Sequence, residues 1–413
     1  MRINGLLPAV ALAFVSLGVR ADVAVEETGR SERLPAQWSG SAFWASDLLL
    51  RRSALFDAES GLMLGAVDAG QDLSPVSPMR SSERNELYVA SSYYERRSHG
   101  KRTDALVIYD TRTLEPIGEV PLPAKKASNA HGIAIGALLD DERFALVFNQ
   151  TPANSVSVVD LVERRFAGEI ETGGCALVYP AGPRTFGMLC VDGTALAVTL
   201  DERGAEASRR ASKKFFDAAK DPITEKGVRL SPDSGRWLFA SFEGMAHEVD
   251  FAAREGPVAQ DPWSLFTDEE RADGWRIGGH QHLAFYEGPA GKMLFSLVHQ
   301  GGPDTHKQAG TELWKYRVGV GHGEKIADID VPNLSASALR SLLDLPADGA
   351  LDWLLQRLVP NAGADCVLVT PGAEPLIVLS NQEAPVIAVL DSGGELLREI
   401  EEPGIAIGLL VAP

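Results

Sequence analysis

Cysteine is scarce in this sequence, three residues in 413. No two of them form Cys-x-x-Cys, so neither a covalent haem attachment nor a cysteine-based zinc site has support. Basic excess is missing as well: 39 Lys and Arg face 57 Asp and Glu, a formal net charge of −18. Such a surface repels nucleic acid and anionic lipid, and suits cationic small molecules or basic protein patches. Beyond the N-terminus no apolar run reaches the ~20 residues of a membrane span. The Gly-x-Ser-x-Gly elbow, the glycine-rich phosphate loop and His-Glu-x-x-His are all absent. No nucleic acid or membrane is expected as a partner, and no catalytic, cofactor-binding or metal-ligating set is assigned to this chain.

What is present begins with an export signal over residues 1–21. Arg2 supplies a positive start, Leu6 to Val19 is uncharged and apolar, and Val19-Arg20-Ala21 offers small residues at −3 and −1 before Asp22. The expectation is a cleaved signal, delivery to the periplasm and a single domain over 22–413. An oxidising compartment gives the cysteines meaning. Cys175 and Cys190 flank the turn-forming Tyr179-Pro180-Ala181-Gly182-Pro183, and two strands returning across that turn bring the sulfurs together as a disulfide. Cys366, in Cys366-Val367-Leu368-Val369, reads as a buried strand thiol.

A repeat runs the length of the chain. An apolar strand ends in an acidic residue, a polar turn follows, and a second strand leads away. Copies end at Asp57, Asp110, Asp160, Asp201, Asp250 and Asp391; a further copy, Leu313 to Tyr316, keeps the shape without the acid. The first five anchors recur about every fifty residues, the period of propeller blades. One small sheet cannot bury both its faces, whereas a ring of radially packed sheets can. Seven copies predict an all-β, seven-bladed β-propeller. Leu334, Ala338, Leu339 and Leu342, then Leu351, Leu354, Leu355 and Leu358, recur at helical spacing on either side of Pro346. A helical hairpin is therefore expected at about 333–361, between late blades, as a packing appendage or a partner-binding element.

From Tyr88 to about Tyr316 the sequence resembles the heavy chains of the quinoprotein methylamine and aromatic amine dehydrogenases. The resemblance is carried in order by Arg102-Thr103-Asp104, Asp110 with Thr113-Leu114 and Pro116, and Cys175 and Cys190 enclosing Pro180, Pro183 and Thr185-Phe186. Asp192-Gly193 and His306-Lys307 belong to the same series. Its strongest segment is Glu270 to Gly279, with Asp273-Gly274-Trp275-Arg276, Gly278-Gly279 and then Gln281. The resemblance implies a seven-bladed heavy chain that carries no redox cofactor. It implies two heavy and two light chains, with tryptophan tryptophylquinone in each light chain. It also implies a primary amine substrate released as aldehyde and ammonia, and a small blue copper protein as electron acceptor. The loop Gly70-Gln71-Asp72-Leu73-Ser74-Pro75 is more polar than such a channel mouth calls for, and the hairpin at 333–361 departs from the family pattern.

Asp273, Trp275, Arg276, Gln281, His306 and Lys307 are the candidates for the light-chain interface or substrate channel. Trp and Arg are frequent interface anchors, but an inter-blade packing role suits them equally. Gly278 and Gly279 permit a tight turn or a close backbone approach. On a strand His280 and His282 would face the same way, as a metal pair does, or line a polar funnel with His299. Arg102 and Asp104 read as a turn-stabilising pair. The alternative functions are a stand-alone periplasmic propeller that binds a ligand without redox activity, and a metal-dependent propeller hydrolase.

Overall fold

Six of the seven repeat anchors do the same mechanical job. Each aspartate side chain turns back onto the chain beyond it and accepts backbone N–H groups, the local bond that fixes an Asx turn. Asp110 Oδ1 accepts from Arg112 N at 2.8 Å and Thr113 N at 2.9 Å. Asp160 Oδ1 accepts from Val162 N and Glu163 N, both at 3.1 Å. Asp57, Asp201, Asp250 and Asp391 repeat the arrangement with Ser60, Arg203, Ala252 and Gly393. The copy without the acid is a long hairpin, Glu312–Gly319 pairing with His322–Asp330. A short polar side chain thus sets six of these seven strand reversals.

The computed structural model describes residues 33–70, 77–97, 99–128, 133–289, 291–347 and 349–413. The export signal and residues 71–75 of the polar loop lie outside the described residues. Seven antiparallel sheets of four or five strands follow one another around a ring, forming a seven-bladed β-propeller. Each of the six aspartate anchors lies at or just past the end of the third strand of its blade. Ala42–Asp47, Arg52–Asp57 and Met63–Asp68 form the outer three strands of blade 1. Its innermost strand is Ile407–Val411, from the far end of the chain, paired to Ala42–Asp47. That pairing closes the ring, and Asp47 Oδ2 reinforces it by accepting from Ile405 N and Ala406 N.

Because successive strands alternate in direction, the Asx turns share one end of the ring. The connections entering each new blade lie at the other. Cores between blades are aromatic and tight: Tyr179 packs on Trp237 and Phe239 at centroid distances of 5.1 and 5.0 Å. Only glycine fits opposite these rings, since a Cβ at Gly187 would stand 2.2 Å from Phe251. Cys175 and Cys190 are direct register partners in the strands Cys175–Pro180 and Thr185–Cys190, and are disulfide-bonded. Cys366 begins the innermost strand of blade 7, fully buried, where burial pushes its thiol up to about 12.

The hairpin is two nine-residue helices, Leu334–Leu342 and Ala350–Leu358, between the last strand of blade 6 and the first of blade 7. Arg340 pins it to blade 7. Its guanidinium meets Glu399, Glu401 at 2.8 Å and Asp352 at 3.6 Å. Ala350–Leu358 buries no residue, and leaves Trp353 and Leu358 62% and 68% exposed. The pair Arg102 and Asp104 is no turn device. Both sit in the strand His99–Asp110, bonded at 2.7 and 2.9 Å, and together they clamp the backbone of Lys126 in the connection to blade 3.

Candidate functional site

The segment 268–282 gathers most of the candidate residues, at the end of the ring where the chain enters blade 6. A five-residue helix, Asp268–Ala272, is set by a capping box in which Thr267 and Glu270 satisfy each other's backbone N–H groups. Asp273 caps it and stays exposed, its carbonyl accepting from Gln300 Nε2 at 3.3 Å. Trp275 then enters the strand Trp275–Ile277 and packs on Trp314, centroids 4.9 Å apart. Arg276 folds back onto the backbone, Nη1 donating to Trp275 O at 2.7 Å, while its buried Nε has no partner among the described residues. Trp275 thus packs within blade 6, half-buried at the edge of the apolar cluster that blades 5 and 6 share.

Gly278 and Gly279 allow the close approach expected of them. A Cβ at Gly278 would stand 2.6 Å from His299 Nδ1, and one at Gly279 (φ +91°) 2.6 Å from the Asp365 carbonyl oxygen. That approach delivers Gln281 to the seam of three blades. Its amide donates to Leu410 O at 2.8 Å and Val367 O at 3.2 Å, and accepts from Leu410 N at 2.9 Å. Its own backbone pairs with Asp365 and Val367. Gln281 faces the axial channel, but its amide is committed to joining blade 6 to blade 7 and to the closing strand.

The histidines do not converge. His282 is buried and bonds Thr224 Oγ1 at 3.2 Å, while His280 lines the channel wall. Neither lies in a strand, which removes the same-face pairing that a His-x-His strand provides. Burial, with Lys226 and His306 adding repulsion, holds the His282 pKa down to about 3. His299 bonds Thr305 Oγ1 at 2.9 Å. Among the described residues no three His, Cys, Asp or Glu side chains are grouped to hold a metal. His306 stacks on Phe242 at 3.5 Å between centroids, both its ring nitrogens buried without partners among the described residues, and Lys307 beside it is exposed.

The innermost strands of all seven blades enclose an axial cavity of about 610 Å³. Leu283, Val367, Val369, Leu409 and Val411 give it apolar walls, and Arg80, Lys226 and Arg229 contribute the cations. Arg229 is held bidentately by Asp140 at 2.8 and 2.7 Å. Arg80 lies over the Trp38 ring and donates to Ala36 O. Lys226 escaped the sequence reading because a lone Glu-Lys pair looks like ordinary surface.

A family model described as "Methylamine dehydrogenase heavy chain (MADH)" matches residues 49–336. The chain belongs to the methylamine dehydrogenase heavy chain family. The match contains the disulfide and the whole 268–308 face, and it ends just inside the first helix of the hairpin. Among curated relatives, a methylamine dehydrogenase heavy chain of Methylophilus methylotrophus is 30% identical over 253 residues, 61% of this chain and 60% of that one. Its counterpart in Methylorubrum extorquens is 27% identical over 338 residues, 79% and 78% of the two chains. A solved protein of unknown function from Desulfotomaculum acetoxidans superposes with a TM-score of 0.57 at 11% identity, over 90% of this chain and 98% of that one. That likeness shows the propeller alone.

Proposed function

We propose that this chain is the large, non-catalytic subunit of an exported amine dehydrogenase, working in the periplasm with a light chain that carries tryptophan tryptophylquinone. The observation that carries the reading is the family match, which spans the face bearing Asp273, His306 and Lys307. The quinone supplies the electron sink for oxidising a primary amine to aldehyde and ammonia, and a small blue copper protein takes the electrons onward. This chain is left with positional work. It presents a rigid, disulfide-braced ring, seats the light chain in a two-heavy, two-light assembly, and keeps water from the amine's path.

The surface chemistry supports that division. Trp275 and Arg276 are anchored from behind by Trp314 and the backbone, so the rim they form is stiff before any partner arrives. Lys307, exposed beside the stack of His306 on Phe242, offers a cation to a partner. The acidic balance of the chain suits a cationic substrate and a basic partner patch. The axial cavity favours the second reading, a propeller that binds a ligand by itself. Purification of the tagged chain from its host separates the two. A stoichiometric small cysteine-rich subunit is expected, and a lone chain, with the neighbouring genes expressed, contradicts the first reading.

A further inference from the structure

Three features lie outside the account above: the exposed helix Ala350–Leu358, the partnerless His306 ring, and the axial cavity with Lys226. The cavity supports the strongest argument. Its volume of about 610 Å³ falls within the ~300–1,000 Å³ usual for small-molecule sites, which are typically apolar with a few convergent polar groups. Of its cations, Arg80 and Arg229 are already spent on Trp38 with Ala36 O and on Asp140. Lys226 is not spent. No hydrogen bond and no ion pair within 4 Å joins it to a described residue. Glu225 and Asp365 act on it only at longer range, and the Asp365 carboxylate is engaged with Gln382 N at 2.9 Å. Burial pushes its ammonium below the ordinary lysine range.

A half-buried ammonium without a contact counter-ion, on a mainly apolar wall that Glu225 and His280 also line, is complementary to an anion that brings its own hydrocarbon. One point charge without a backbone nest suits a single carboxylate better than a phosphate, which calls for several converging donors. We infer that the axial cavity binds a monocarboxylate with a compact apolar body, the carboxylate on Lys226 and the hydrocarbon between Leu283, Val367 and Leu409. Alkyl and aryl carboxylates share that chemistry. The site needs no light chain and no quinone, so it stands or falls apart from the dehydrogenase reading.

The test uses the full chain as isolated from its host, with any companion subunit retained. Octanoate and phenylacetate are titrated by calorimetry against their neutral amides, which share shape but lack the charge. Saturable one-to-one binding is expected, at least tenfold tighter for a carboxylate than for its amide, and the better of the two acids identifies the alkyl or aryl body. Lys226→Met should abolish the preference, and Lys226→Arg should keep it. In the unaltered protein, the bound acid should shield Lys226 but not Lys307 from acetic anhydride, read by peptide mass. That arm holds even if the Met variant misfolds. No saturable binding, equal affinity for acid and amide, or unchanged acylation of Lys226 would each overturn the inference.

Discussion

Replacing Gln281 with alanine tests whether the glycine-rich segment is architectural. The substitution deletes three hydrogen bonds, two to Leu410 and one to Val367. At about 1 kcal/mol net for each, the loss is about 3 kcal/mol. The per-residue entropy of unfolding turns that into a Tm fall of about 4 °C for a chain of this length. The damage should be local before it is global, because Leu410 lies in the strand that closes blade 1. Its amide should lose protection from hydrogen exchange while the Val158 amide in blade 3 keeps it. Gln281→Glu should be worse than alanine, since it turns a carboxylate toward the Leu410 and Val367 carbonyls. Calorimetry together with exchange mass spectrometry reads both effects. A Gln281→Ala protein melting within about 1 °C of the parent, with Leu410 still protected, would refute the reasoning.

Acid should weaken the fold in two stages. His282, with a folded pKa of about 3, stays neutral while the unfolded chain takes up a proton near its ordinary ~6.5. Stability is therefore lost as pH falls through that window. Asp57 is pushed up by burial but held lower overall, to about 2, by Ser39, Ser60 and Ser41, so its share is present above the unfolded value of ~3.9 and lost as pH falls toward 2. Melting curves from pH 7 to 2 should show both steps, and Asp57→Ala should remove only the lower. Reducing Cys175–Cys190, which closes a span of 15 residues, should cost about 3 kcal/mol in denaturant titration. Gly279→Ala, forced to φ +91° and against the Asp365 carbonyl, should cost about 3 kcal/mol. Gly302→Ala, which meets nothing within 4 Å, should stay within about 0.5 kcal/mol of the parent.

The third strands of the blades were legible in the sequence because their signal is local: an apolar run, then an aspartate that folds onto the next few backbone amides. Of the innermost strands only those beginning at Cys175 and Cys366 were read. Val228–Arg229 and Gly136–Leu138 are two and three residues long, too short to show alternation. The Asp273 to Gln281 string stood out as a motif, but its purpose did not, since the side chain of Gln281 acts on Leu410, 129 residues away. The metal-pair alternative for His280 and His282 depended on a strand where the chain instead bends, and His280 lines the channel. Lys226 and the stack of His306 on Phe242 depend on loops from different blades meeting in space, and no spacing in one sequence records that.

The central claim, a scaffold for a quinone-bearing light chain, is tested most directly by the visible spectrum of the complex purified from its host. The account predicts a coloured assembly whose quinone absorption bleaches on addition of a primary amine, with the colour in the small subunit after separation. A colourless preparation containing this chain alone, unchanged by any primary amine while the neighbouring genes are expressed, would contradict it.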